Sequence, residues 1–233
     1  MKAAVVEFPG SNCDHDAFEW ASRLFHIPTE LVWHTETHLK GADLVILPGG
    51  FSYGDYLRCG AMAARAPVMD AVIEHAKSGG LVIGICNGFQ ILCEVGLLPG
   101  ALLRNQGLAF LCQDVYLRCE TSKSPFSRHV GKGTVLRLPI AHHDGNYFTD
   151  PKTLKRLQRE ERILFRYVNP NGDVNEAWNV NGSLDAIAGV LSEGRNVLGM
   201  MPHPERASEA VLGNEDGAAI LRSALKTLEA AHA

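Results

Sequence analysis

The chain has 233 residues, 46% of them apolar and 21% charged, with a formal net charge of −4; it can bury a core of ordinary size without help from disulfides or metal. Acids and bases are interspersed, so no basic face suited to nucleic acid or anionic lipid is present, and no apolar run is long enough to span a bilayer. The opening MKAAVVEFPG is too short, and too soon broken by Pro9-Gly10, to be a signal peptide, so a cytoplasmic protein is expected.

Residues 3–8 (AAVVEF) read as a buried strand stopped by Pro9-Gly10. A helix is predicted from Asp14 to about Phe25, with Asp14 as its N-cap. Short strands follow at 30–33 and at 43–47 (DLVIL), the second ending abruptly at PGG. Residues 61–77 are helical in composition, with a break near Pro67. LVIGI, 81–85, is a further strand, and 87–95 has the apolar spacing of a helix leaving it. Later strands are predicted at 113–119, 134–139, 163–168, 186–191 and 197–201, and a last helix at roughly 215–231. Short apolar strands alternating with helices imply an α/β fold, with a mostly parallel central sheet covered on both faces. Extra antiparallel strands are expected in the second half. No linker or repeat interrupts the pattern, so residues 1–233 are expected to form one domain.

Six cysteines (Cys13, Cys59, Cys86, Cys93, Cys112, Cys119) show neither a C-x-x-C pair nor a disulfide framework. They read as free thiols, mostly buried as small apolar residues, Cys93 among them. His142, His143 and Asp144 are adjacent, but successive residues on an extended strand point to opposite faces and cannot share one ion. No metal site is expected.

Three segments have the residue types of catalysis. In GICNG, Gly84 and Gly88 bracket Cys86 at a strand-to-helix junction. A nucleophile on so sharp a turn needs small neighbours, and a helix N-terminus favours a thiolate. A buried structural cysteine explains this window equally well. In MMPHPER, His203 lies between two prolines with Glu205 two residues on. In an extended segment the two side chains share a face, as a carboxylate orienting an imidazole requires. A structural His-Pro turn is the plain alternative. In LPGGFSYGD, Gly49 and Gly50 permit positive φ and free backbone N–H groups, as an oxyanion hole needs and as a simple tight turn also has. No lysine follows in the P-loop pattern. A parallel sheet would bring all three segments to one edge.

LPGG, GICNGFQIL and the late HPE together resemble the class I, triad-type glutamine amidotransferases. FPGSNCDHDAF, PGGFSYGDYLRCGA, PIAHHDGNYF, FRYVNPNG and NVLGMMPHPER carry the resemblance from residue 8 to residue 206, most closely to a member acting in purine biosynthesis. The AHHDGN segment departs from the glycine and glutamate the family carries after its first histidine, which leaves the roles of His142, His143 and Asp144 unassigned. The resemblance implies a flavodoxin-like glutaminase in which Cys86 is the nucleophile, His203 the proton carrier and Glu205 its orienter. Backbone N–H groups of Gly50 and Asn87 would hold the oxyanion, while Gly49, Gly84, Gly88 and Gln90 support the site. It further implies that ammonia passes to a separate synthetase subunit, which uses ATP and Mg²⁺ to turn formylglycinamide ribonucleotide into its amidine, with a small accessory subunit beside it. No cofactor is implied for this chain itself. A cysteine hydrolase on the same fold, or a silent binding subunit, are the competing readings.

Overall fold

Strands form where apolar residues run without interruption, and they stop at glycine and proline. In the computed structural model, which describes residues 1–232, the order is β1 (Ala3–Glu7), α1 (Asp14–Glu19), β2 (Thr29–Trp33), β3 (Leu44–Leu47), α2 (Val68–Lys77), β4 (Leu81–Ile85), α3 (Asn87–Glu94) and β5 (Ala101–Leu103). There follow β6 (Leu111–Cys119), β7 (Val135–His142), β8 (Asn146–Phe148), α4 (Pro151–Arg159), β9 (Ile163–Val168), β10 (Ile187–Leu191), β11 (Val197–Met200) and α5 (Ala218–His232). A nine-stranded sheet has the order β2-β1-β3-β4-β11-β10-β9-β6-β7. The first five strands are parallel, and each pairing from β11 outward to β7 is antiparallel. Every residue of β3, β4, β10 and β11 is buried, so both faces of the sheet centre are covered. The expected α/β architecture with an antiparallel extension is therefore present. Among the described residues no helix is long and apolar enough to cross a membrane.

The predicted break near Pro67 is real. A 3₁₀ turn covers Ala63–Arg65 and α2 starts after Pro67, which occupies its N-cap. Asp14 is not the N-cap of α1. Cys13 holds that position, and Asp14 sits in the first turn, where its carboxylate accepts from the Ser11 hydroxyl (2.6 Å) and the His15 N–H (2.8 Å). Beyond Glu19 the predicted helix runs on as a π-helical turn, Trp20–Leu24. α4 has no counterpart among the predicted elements, because PKTLKRLQR buries only Leu157. Its start was nonetheless written in the sequence: Pro151 takes the first helical position, and the Asp150 side chain accepts from the N–H groups of Lys152 and Thr153. The pair β5–β8 was also unpredicted; each strand has three residues, too few to show a period.

The cysteines are more mixed than expected. Cys13, Cys86 and Cys119 are buried, Cys59 and Cys93 are partly exposed, and Cys112 is exposed on an outer strand. Cys93 packs against the edge of the core as a partly buried residue, and burial pushes its thiol up, as its place in an apolar helix suggested.

Candidate active site

The site forms at the carboxyl edge of the parallel strands, where β3, β4 and β11 end side by side. Cys86 follows β4 directly. Its N–H still donates to Met200 O (2.8 Å), but its backbone has turned to φ +50°, ψ −105°, a strained conformation for a residue with a Cβ. Helix α3 begins at the next residue, and its first turn closes on Cys86 O through Phe89 and Gln90 (3.0 and 3.2 Å).

Close packing explains the two glycines. A Cβ on Gly84 would lie 2.5 Å from Leu92 Cδ1 and 2.6 Å from Gly88 O, and one on Gly88 would lie 2.1 Å from Leu47 O. Without them α3 cannot seat against β3 and β4. That seat is held by Phe89, Ile91 and Leu92, all fully buried, each side chain contributing about 2 kcal/mol by its removal from water.

His203 and Glu205 come from the segment after β11. His203 is extended (φ −101°, ψ 92°), but Pro204 starts a 3₁₀ turn, Pro204–Arg206. Glu205 therefore reaches the imidazole from a turn rather than along a strand face, a correction to the extended geometry expected above. The contact itself is made: His203 Nδ1 and Glu205 Oε1 are 2.6 Å apart, both side chains almost wholly buried. The other nitrogen, Nε2, has no hydrogen-bond partner in the resting structure. Burial alone would depress the basicity of His203. The charges of Glu205 and Cys86, with the hydrogen bond to Glu205, outweigh it, raising the group to about 10 and favouring the imidazolium.

Gly49 and Gly50 serve in different ways. Only Gly50 has positive φ (+115°); Gly49 is required by space, since a Cβ there would sit 2.6 Å from His203 Cε1, 3.3 Å from Cys86 Cβ and 3.4 Å from Cys13 Sγ. The bare Gly49 thus lets cysteine and histidine approach over one backbone position.

Side-chain amides tie the elbow to its surroundings. Asn87 Oδ1 accepts from Ser52 N–H (3.2 Å), and its Nδ2 donates to Asp55 Oδ1 (3.2 Å) and Gln90 Oε1 (2.8 Å). Gln90 Nε2 donates to Asp144 O (2.7 Å), so that amide, held by Asn87 at its oxygen, joins α3 to the loop after β7. His142 ends β7, whereas His143 and Asp144 lie in the turn beyond it and contact each other at 3.4 Å. Strand alternation, the reason given for denying these three a shared ion, therefore does not describe them.

A cavity of about 200 Å³ lies over these groups, lined by Cys86, His203, Gln90, His142, Asp55 and Gly50 among others. It has room for an amino-acid-sized molecule. A second cavity of about 430 Å³ adjoins it, sharing Asp55, Cys59, Gln90 and Asp144.

Sequence reasoning missed Cys13, Arg206 and Asn105. Cys13 Sγ, His203 and Glu205 place ligand atoms within 4.8 Å of one another. However, Arg206 Nη2 lies 3.1 Å from that sulfur, and its positive charge opposes a cation there. Burial pushes the Cys13 thiol up to about 12 despite Arg206, so it stays protonated and is a poor metal ligand or nucleophile.

The strained Cys86 elbow beside the buried His203–Glu205 pair is the arrangement that triad-type cysteine enzymes use, and comparison with known proteins gives the family. Residues 1–220 match the CobB/CobQ-like glutamine amidotransferase domain, and the chain belongs to that family. It is 56% identical to phosphoribosylformylglycinamidine synthase subunit PurQ of Rhodopseudomonas palustris (strain BisB18), over 93% of this chain and 94% of that protein. It is 55% identical to subunit PurQ of Koribacter versatilis, over 96% of both. Among solved structures it is similar to a chain of PurLQS from Thermotoga maritima, with a TM-score of 0.86 and 44% identity over 97% of this chain and 98% of that one. A glutamine amidotransferase from Thermotoga maritima, 17% identical over 97% of both chains with a TM-score of 0.61, shares the fold.

Proposed function

We infer that this chain is the glutaminase subunit of phosphoribosylformylglycinamidine synthase in purine biosynthesis, hydrolysing glutamine to glutamate and ammonia for use by a synthetase subunit. One observation carries the chemistry. A cysteine on a strained elbow and a histidine backed by a buried glutamate meet at a single cavity of amino-acid size, lined by Cys86 and His203. The continuous nine-stranded sheet and the family match over residues 1–220 support reading the whole chain as one glutaminase domain.

The Cys86 thiolate attacks the side-chain amide carbon of glutamine, and the C=O electron pair moves onto oxygen. Backbone N–H groups of Asn87, at the start of α3, and of Gly50 hold that oxyanion, each such donor lowering the barrier by ~3 kcal/mol. His203, having taken the thiol proton, delivers it to the amide nitrogen, and the C–N bond breaks to release ammonia. Water then adds to the glutamyl thioester with His203 as base, giving glutamate and restoring the thiol. Glu205 fixes the His203 tautomer and stabilises its charged form. Gly49, Gly84 and Gly88 allow the close approach; Gln90 braces the elbow against the loop after β7.

The chain itself needs no cofactor for these steps. ATP and Mg²⁺ act on the synthetase subunit, which converts formylglycinamide ribonucleotide to formylglycinamidine ribonucleotide, and a small accessory subunit completes the cytoplasmic complex. The loop beside the cavities supports a partner on this side: Tyr53, Asp55 and Leu57 have positive φ, and Tyr56 and Leu57 are 74% and 89% exposed. Coupling is checked by measuring glutamine hydrolysis with and without the synthetase subunit. The rate is expected to rise at least tenfold on assembly; an unchanged rate would count against ammonia transfer.

A further inference from the structure

His142 is buried and takes no part in the steps above, yet its ring forms part of the cavity wall with Cys86 and His203. Its protonation pattern follows from its neighbours. Asn105 Nδ2 donates to Ala109 O and to His142 O, both at 2.9 Å, which fixes the orientation of that amide. Asn105 Oδ1 then accepts from Gly145 N–H and faces His142 Nδ1, each at 3.1 Å, so Nδ1 carries the ring proton. Burial chiefly, and the nearby His203, hold His142 down to about 4 and keep the ring neutral. Nε2 is left as a bare acceptor, buried and without a partner. Gly145 packs against the Cε1–Nδ1 side of the ring: a Cβ there would lie 2.2 Å from Cε1 and 2.4 Å from Nδ1. The preceding residue adds a second acceptor, since Ala141 O lies 3.8 Å from Cys86 Sγ.

The end of β7 therefore offers acceptors, whereas the start of α3 offers backbone donors. A carboxamide is polar in the matching sense, with oxygen to the donors and N–H₂ to the acceptors. The other donor of glutamine, its α-ammonium, has the carboxylates of Asp55 and Asp144 on the same cavity wall. We propose that His142, with Ala141 O, reads the carboxamide nitrogen of glutamine and so separates the substrate from its product glutamate, whose carboxylate brings only acceptors to the same place. Two acceptors facing each other at close range repel, so the residue that orients the substrate also helps to expel the product.

This proposal rests on the glutaminase reading and is tested in the assembled complex with the synthetase subunit, by the KM for L-glutamine and the inhibition constant for L-glutamate. His142→Asn keeps an amide N–H at the Nδ1 position for Asn105 and removes the acceptor at Nε2. The ratio of the glutamate constant to the glutamine KM is expected to fall about tenfold, with a smaller change in kcat. An unchanged ratio in a folded variant overturns the proposal. Should that variant not fold, ¹⁵N-histidine NMR of the Cys86→Ala complex decides: the His142 Nε2 resonance should move upfield with saturating glutamine and not with glutamate. No movement with glutamine overturns the assignment. A wild-type complex that hydrolyses no glutamine would instead refute the glutaminase reading, a separate outcome.

Discussion

Cys86→Ala is expected to abolish glutamine-dependent product formation while leaving reaction with ammonium salts intact. Removing the nucleophile of a triad costs roughly 10⁵- to 10⁶-fold in turnover, because base and orienter then have nothing to activate. The substitution should leave the fold alone, since Cys86 lies on a turn whose shape is set by Gly84 and Gly88 and by α3 packing on β3 and β4. Ammonia from solution bypasses the glutaminase and enters the synthetase reaction directly. The check is an assay of the complex with glutamine or with an ammonium salt as nitrogen source. Loss of both activities would mean that the variant disrupts assembly; retention of both would mean that Cys86 is not the nucleophile.

Gly88→Ala has the second large effect, on stability and activity together. Its new methyl would lie 2.1 Å from Leu47 O and 2.7 Å from Leu47 C, both backbone atoms of a fully buried strand that cannot swing aside. Relief requires α3 to lift from β3, which unseats Phe89, Ile91 and Leu92 and moves the start of the helix away from Cys86. An overpacked core site of this kind costs ~3 kcal/mol, which for a chain of this size lowers Tm by roughly 6–12 °C. Gly107→Ala is the control: a Cβ at Gly107 meets nothing within 4 Å, and its Tm should stay within about 1 °C of wild type. Thermal unfolding of both variants, with glutamine turnover in the complex, decides. Equal Tm values would show that α3 can adjust and that Gly88 is not a packing requirement.

The legible parts of this molecule were those determined locally. Uninterrupted apolar runs gave away the central strands, and Pro67 announced its break. The elbow could be read because strand, Gly84, Cys86, Gly88 and helix follow one another within a few residues. The pairing of His203 with Glu205 was legible from their i, i+2 spacing, although the turn that brings them together was not, since Pro204 allows both an extended and a 3₁₀ path. The contacts around the triad were hidden because they join distant segments. Arg206 reaches Cys13 across 193 positions, and Asn105 orients His142 across 37. No local pattern marks such pairs; only the packing of the β1–α1 loop, the β5–β6 loop and β7 around the sheet edge creates them. α4 was missed for the opposite reason. Its capping signal was local and plain, but its face is too polar to register as an amphipathic period.

The central claim is that Cys86, and not the neighbouring Cys13, is the group that bonds to glutamine. Both lie beside His203, but only Cys86 sits on the strained elbow at the start of α3. Cys13 precedes a six-residue helix under the guanidinium of Arg206, with its thiol held protonated by burial. Treating the complex with an electrophilic diazoketone analogue of glutamine, followed by peptide mass mapping, tests this directly. One adduct is predicted, on the peptide containing Cys86, and excess glutamine should prevent it. An adduct on Cys13 or any other cysteine, with Cys86 unmodified, would contradict the account.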